Sequence, residues 1–408
     1  MAGRTKKIDV KEYGMVFALV AIFLLFAILT EGNNASPMNI NNLIMQNGYV
    51  IILAVGMLLC VLTGNVDLGV GSVVAVCGAA SAIAVVDWGM PVPVGIILAL
   101  VVGLLFGLFN GFFVAYLKIP PFTVTLATML IGRGLTYTVL KAQTKGPLPD
   151  SFRNIATSYI FPNWKISIPM GEEVPNILDD GTVEMVQDML NINIFALVVA
   201  LVVTVALFVL MVRNRKKLES NGFENVSLVS DIVKNVIIAF FVWFVAVKLA
   251  FLKGIPTQLV IIAVIVACYA FLTEATVPGR NIYALGGNSK AARLSGINTQ
   301  KVFFWVYANM SILAAVAGVV LSARNASATP KAGDGFEMDA IASCYIGGAA
   351  VAGGSGKIIG AVVGALVMGV LNNGMSLVGL STDIQKIVKG VVLLGAVTAD
   401  LISKQKKN

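Results

Sequence analysis

Apolar residues run in long blocks along this chain, separated by short polar breaks. The blocks fall at 14–30, 43–63, 69–87, 92–116, 121–140, 192–212, 233–252, 256–274, 301–323, 339–355, 357–378 and 385–402. Most approach the roughly 20 residues that a helix needs to cross about 30 Å of hydrocarbon. The pattern predicts an all-α polytopic membrane protein with about 10–12 transmembrane helices, one or two of them broken or re-entrant. The lower count applies if 64–72 (GNVDLGVGS) or 339–355 dips in and returns. Non-helical backbone is tolerated at membrane depth where protein buries it.

Two polar stretches interrupt the blocks. Residues 141–191 hold Pro147, Pro149, Pro162 and Pro169 with the acidic pairs Glu172/Glu173 and Asp179/Asp180, and are expected to form an extracytoplasmic insert. Residues 275–300 hold a short helix around 290–294, preceded by Gly286, Gly287 and Asn288 and followed by Gly296 as a C-cap. Basic residues cluster at Arg4/Lys6/Lys7/Lys11, Arg213/Arg215/Lys216/Lys217, Arg280/Lys290/Arg293/Lys301 and Lys404/Lys406/Lys407. Threaded from a cytoplasmic N-terminus, every cluster lands inside, as the positive-inside rule requires. The C-terminus is then cytoplasmic as well. The expected layout is a cytoplasmic tail 1–13, a transmembrane core 14–140, the insert 141–191, and helices over 192–274 around a basic cytoplasmic loop 213–231. The cytoplasmic loop 275–300, a second core 301–403 and a tail 404–408 follow. The first block has a basic tail before it, like a signal peptide. Its core is long for that role and no A-x-A-like site follows directly, so it is expected to be a retained span.

Composition fixes the solvent. Hydrophobic residues make up 58% of the chain and charged ones 12%, against about 25% charged in soluble domains. The +8 net charge sits in the loop clusters, a placement that argues against nucleic acid as a partner. Cys60, Cys77, Cys268 and Cys344 lie in apolar surroundings without CxxC spacing, as small buried hydrophobes do. The chain has no histidine, which removes the commonest metal ligand and general base. No catalytic residue, metal site or cofactor is expected.

The polar residues within the blocks carry the candidate chemistry. GNVDLGVGS sets Asn65 and Asp67 among glycines, with Ser72 following. At the membrane interface Asp67 is a solvated turn residue; deep in the membrane, the glycines open the helix and half-helix termini create a polar site of the kind transporters use. Arg133 lies roughly 17 Å into its block at 1.5 Å per residue. A mid-membrane arginine costs at least about 2.5–3.5 kcal/mol on insertion scales and faces the bundle interior, where it either pairs structurally or lines a path. Asp67 is its candidate partner across the core. Asn110, Thr123, Thr125, Asn372 and Asn373 add uncharged hydrogen-bonding groups, which suit a neutral polyol better than an ion. The segment 353–357 (GGSGK) resembles a phosphate loop, but Val351 and Ile358 stand where that loop needs Gly and Ser or Thr. ATP binding by this chain is rejected. Rows of small residues, Gly103/Gly107/Gly111 and Gly360/Gly364, signal close helix packing.

These motifs match a known family. GNVDLGVGS resembles the (G/E)-x-I/V-D-L-S-V-G-S signature of permease subunits of bacterial ABC sugar importers of the ribose, galactose and xylose type. PPFTVTLATMLIGRGL, GRNIYALGGNSKAARLSGI, and GGSGKIIGAVVGALVMGVLNNGMSLVGLS with IVKGVVLL are similar to further segments of that family. The resemblance covers most of 40–140 and 256–402. The larger insert and the extra blocks 192–212 and 233–252 resemble the longer galactose/methyl-galactoside- and xylose-type members. The resemblance implies a bacterial inner-membrane pore formed by two permease copies, as a homodimer. A separate cytoplasmic ATP-binding subunit would power it, and an extracytoplasmic sugar-binding protein would deliver a monosaccharide of the galactose, glucose, xylose or ribose class. It also implies that 284–298 is the element coupling the permease to the ATPase, through Gly286, Gly287, Asn288, Ala291, Ala292, Arg293 and Gly296. Asn65, Asp67, Ser72, Asn110, Thr123, Thr125, Arg133, Asn372 and Asn373 would border the translocation path. Two alternatives stand beside this. A secondary, ion-coupled sugar transporter predicts an internal repeat and a mid-span coupling acid, neither of which is visible; an ABC permease for nucleosides is the other.

Overall fold

The computed structural model describes residues 10–177, 183–220 and 228–405. In chain order its elements are α1 (Val10–Leu29), α2 (Pro37–Leu62), α3 (Val70–Val86), α4 (Val92–Ala115), α5 (Pro121–Val139) and α6 (Asp150–Thr157). Then come β1 (Tyr159–Ile160), β2 (Lys165–Ile177), β3 (Val183–Asn193), α7 (Ile194–Ser220), α8 (Leu228–Ala250) and β4 (Ile255–Pro256). The last are α9 (Thr257–Ala275), α10 (Val277–Gly287), α11 (Ser289–Leu294), α12 (Thr299–Asn325), α13 (Phe336–Ile346), α14 (Ile358–Leu377) and α15 (Thr382–Gln405). The protein is an all-α polytopic membrane protein. Among the described residues, α2, α4, α7, α8, α9, α12 and α14 contain stretches long and apolar enough to cross a membrane, and α1 and α3 contain shorter apolar ones. Three expected blocks fall outside both groups: α5, α13 and α15. These carry Arg133, Glu337 with Asp339, and Lys386 with Lys389.

The chain forms two compact units. One comprises 159–256 with 35–42. In it β2 and β3 form an antiparallel hairpin that pairs Ile166 with Ile192 and Ile168 with Leu190. Those four side chains therefore share one face, because strand side chains alternate with period 2. β1 pairs with β4. Phe161, Trp164 and Phe195 cluster with ring centroids 5.0–6.0 Å apart. α7 and α8 are joined by the Arg215–Asp231 ion pair and by a bond from the Trp243 indole N–H to the Thr204 hydroxyl at 3.1 Å.

The larger unit comprises 10–34, 43–158 and 257–405 of the described chain. α2, α12 and α14 are mostly buried within it, whereas α4 and α9 are mostly exposed. The small-residue rows are its closest seams. A Cβ added at Gly103 would stand 2.6 Å from the Ala315 Cβ, one at Gly107 2.7 Å from the Ala308 Cα, and one at Gly111 2.8 Å from the Phe304 carbonyl oxygen. Glycine thus sets the α4–α12 distance, the role small residues play in lipid. Gly360 and Gly364 seat α14 in the same way on Gly347 and Ser343, at and near the end of α13. The block expected at 339–355 is not a continuous helix: α13 stops at Ile346, and left-handed glycines at 348, 353 and 354 turn the chain toward α14.

Candidate functional site

The break between α2 and α3 lies in the packed interior. The Thr63 and Gly64 N–H groups close the last turn of α2 on the Cys60 and Val61 carbonyls at 3.0 and 2.9 Å, and Gly64 then takes φ +78°. Asp67 is 1% exposed, and its Oδ1 accepts a bond from the Gly69 N–H at 2.8 Å. The carboxylate therefore satisfies a free amide ahead of α3, as side chains do at helix N-termini. Asp67 is thus buried in protein and is not the solvated turn residue of the first alternative. Asn65 donates to the Thr63 carbonyl at 3.1 Å. A Cβ at Gly69 would meet Thr128 of α5 at 3.0 Å, and one at Gly132 would meet Ser72 at 3.0 Å. Ser72, Asn110, Thr125 and Thr128 are fully buried, and the Thr128 hydroxyl donates to the Asn110 side-chain carbonyl. Ser72 Oγ, Asn110 Nδ2, Tyr307 Oη and Ser311 Oγ have no hydrogen-bond partner among the described residues. Leaving a buried polar atom unmatched costs about 1–3 kcal/mol, so this concentration marks a polar seam inside an apolar bundle. Thr123 stands apart, on the exposed face of α5.

Arg133 meets main chain. Its Nη1 donates to the Pro330 and Ala332 carbonyls at 2.9 and 2.6 Å, holding the segment 326–335 against α5. An Asp67–Arg133 ion pair is not found among the described residues, because both groups are engaged by backbone. Gly333 packs directly on Gly71, and the Glu337 carboxylate lies 2.6 Å from where a Gly71 Cβ would be. Further along, Lys389 Nζ of α15 lies 3.0 Å from the Asp339 carboxylate of α13, with side-chain exposures of 23% and 3%. Asn372 of α14 donates to the same carboxylate at 3.3 Å, and Asn373 is buried beside it. Lys386 bridges to Asp334 at 3.0 Å on the surface. Asp339 and Lys389 are absent from the sequence-based site. The signal was there: a lysine in an apolar block with an aspartate in another, both needing a partner in lipid.

At another level of the same unit the chain makes a glycine junction. Gly286, near the end of α10, packs directly on the Leu62 carbonyl that ends α2. The Gly354 N–H donates to that carbonyl at 2.8 Å. Tyr283 Oη donates to the Gly356 carbonyl at 2.7 Å, and burial pushes its phenol up, so it remains a donor. The GGSGK turn is thus a structural joint among α2, α10 and α14. Beyond Gly287, Asn288 caps α11 by accepting from the Ala291 N–H at 3.0 Å. Gly296, at φ +86°, ends it with its N–H on the Arg293 carbonyl. Ala292 is buried, Leu294 is 90% exposed, and a depression of about 390 Å³ lined by Lys118, Arg293 and 296–300 opens beside the helix. Among the described residues no cluster of His, Cys, Asp or Glu could hold a metal ion.

The family profile described as "Branched-chain amino acid transport system / permease component" matches residues 39–216 and 181–397, taking in the break, the junction and α11 to α14. The chain belongs to this permease family. The permease is 36% identical over 407 residues to the xylose transport system permease protein of Haemophilus influenzae, covering 99% of each chain. It is 34% identical over 401 residues to the xylose transport system permease protein of Escherichia coli K12, covering 98% of this chain and 94% of the relative. It is 32% identical over 386 residues to the ribose import permease protein of the same strain, covering 94% and 92%. No solved structure matches the permease.

Proposed function

We propose that the permease is the transmembrane subunit of an ABC importer for a neutral monosaccharide of the pentose or hexose class, in a bacterial inner membrane. The observation that carries this is its similarity, at 32–36% identity over nearly the whole of both chains, to permeases named for xylose and ribose. Two copies form the pore, an extracytoplasmic protein delivers the sugar, and a separate ATPase drives the cycle. The basic ends of α7 and of the loop 275–300 support cytoplasmic placement of both, and with them of the two termini. The capped α11, with an exposed leucine and Arg293 beside an open depression, has the form of a rigid knob for a partner groove. The glycine junction gives motion of α10 a short route to the end of α2 and on to the break at Asp67. The sugar path runs beside Asn65, Asp67, Ser72, Asn110 and Thr125, and past Arg133, Asn372 and Asn373. Thr123 borders it only where the second copy closes over the exposed face of α5. The test is uptake by proteoliposomes holding the permease with its cognate ATPase and binding protein, offered labelled d-xylose, d-ribose and L-leucine. ATP-dependent accumulation of a sugar is expected. Accumulation of leucine alone refutes the proposal, and would fit the amino acid named in the family description instead.

A further inference from the structure

The segment 326–335 leaves α12 through a left-handed Ala326 (φ +53°) and bridges to Lys145 through Ala328. It then passes under the Arg133 guanidinium. Between it and the last turns of α12 lies a cavity of about 160 Å³. Its polar lining includes Ser322, Asn325, Thr329, Lys331 and Asp334, and Phe336 forms an aromatic wall. Phe336 is itself braced by stacking on Tyr49, with ring centroids 4.1 Å apart at 14°.

We propose that this cavity is a binding subsite for a single neutral sugar ring, resting on the importer reading above. A sugar presents alternating donors and acceptors around its rim and C–H groups on its face. The Thr329 hydroxyl and the Asn325 amide each donate and accept, and the Asp334 carboxylate accepts. Phe336 supplies the apolar wall that such a ring face requires. Lys331 and Asp334 bring opposite charges to the lining, and Lys386 of α15 reaches the same Asp334 carboxylate at 3.0 Å. The volume is well below the roughly 300–1,000 Å³ of drug-sized sites, which excludes oligosaccharides. Arg133 acts as a positioning residue, because the carbonyls it holds belong to the segment that walls the cavity.

The test uses the complete importer complex in nanodiscs, with Thr329→Cys placed in a Cys268→Ser background. Cys60, Cys77 and Cys344 are buried, so a maleimide, read on the permease band after the subunits are separated, reports on position 329. Saturating d-xylose or d-ribose, whichever the wild type accumulates, is expected to slow labelling several-fold. L-leucine should leave it unchanged, as should sugar at a remote Thr138→Cys. Ser327→Cys, in the same lining, supplies the same readout if Thr329→Cys does not assemble. Asn325→Leu should lower uptake about tenfold, as expected when one net hydrogen bond is lost. If sugar protects neither cysteine and Asn325→Leu transports normally in an importer that accumulates sugar, the subsite is wrong and the importer stands. If the wild type accumulates no sugar, the subsite falls together with the function it rests on.

Discussion

Gly286→Ala is the sharpest perturbation available at the glycine junction. A methyl at this position would fall on the Leu62 carbonyl, 2.7 Å from the Gly354 nitrogen and 2.8 Å from the Leu62 carbonyl carbon. Normal non-bonded separations are about 3.5–4.0 Å; clearing the Gly354 nitrogen alone takes about 0.8 Å, and the Leu62 carbonyl oxygen, nearer still, demands a larger retreat. Both neighbours are backbone, which cannot swing aside as a side chain can. Overpacking of this kind costs about 1–3 kcal/mol. Losing the Gly354–Leu62 hydrogen bond adds about 1 kcal/mol if the turn moves away. The adjacent Gly287 supplies the control, since nothing lies within 4 Å of a Cβ there. The detergent-purified Gly286→Ala permease is therefore expected to denature several degrees below wild type, with Gly287→Ala close to wild type. In proteoliposomes Gly286→Ala should also separate stimulated ATP hydrolysis from uptake, because the joint links α10 to the break. Equal behaviour of the two alanine variants would refute the reasoning.

Other outcomes follow from the same geometry. Asp339→Asn or Lys389→Met alone should lower the denaturation midpoint, since breaking a buried pair costs about 3–5 kcal/mol when fully shielded and less here, where Lys389 is 23% exposed. The double variant Asp339→Asn with Lys389→Met should recover part of the loss, and purely additive damage would show that the two do not couple. Asn288→Ala should cost about 0.5–2 kcal/mol at the start of α11 and lower uptake and stimulated ATP hydrolysis together, with Asn288→Asp restoring both; unchanged uptake in Asn288→Ala would make α11 a mere connector. Leu294→Asp should leave stability unchanged, because the side chain is 90% exposed, yet abolish coupled ATP hydrolysis; full activity would remove Leu294 from the docking face.

Much of this fold is legible in the chain because its signals are local. The glycine rows of α4 and α14 mark helix seams by spacing alone. Asn288 and Gly296 bracket α11 with a cap at each end, and GNVDLGVGS announces a break by its glycines. What escapes is what depends on distant main chain. Arg133 is legible as a buried cation, but its partners are the Pro330 and Ala332 carbonyls, which every residue type carries and no pattern reveals. Gly286 is legible as a glycine, while its reason is the Leu62 carbonyl some 220 residues earlier. Thr123 and Thr125 are grouped by proximity in sequence, yet residues two apart do not share a helix face. Only Thr125 is buried. Asp339 and Lys389 are hidden by counting apolar residues, which treats α15 as a span without asking what its lysines meet.

The Asp339–Lys389 pair also bears on how the polypeptide enters the bilayer during synthesis. α13 is 11 residues long, about half of the roughly 20 that a span needs, and carries two acids in its first turn. It cannot partition into lipid alone. Its counter-charge lies 50 residues downstream, an interval of about 2.5–10 s at ordinary translation rates of roughly 5–20 residues per second. During that interval α13 and α14 must wait in a protein-lined setting, and the arrival of Lys389 releases them together with α15. A chain ending before Lys389 is expected to stay exposed to quality-control proteases, as a short half-life in pulse–chase labelling would register; a long-lived truncation would exclude this. The Asp339–Lys389 contact then serves as the cell's signal that α15 has been made and has closed on α13.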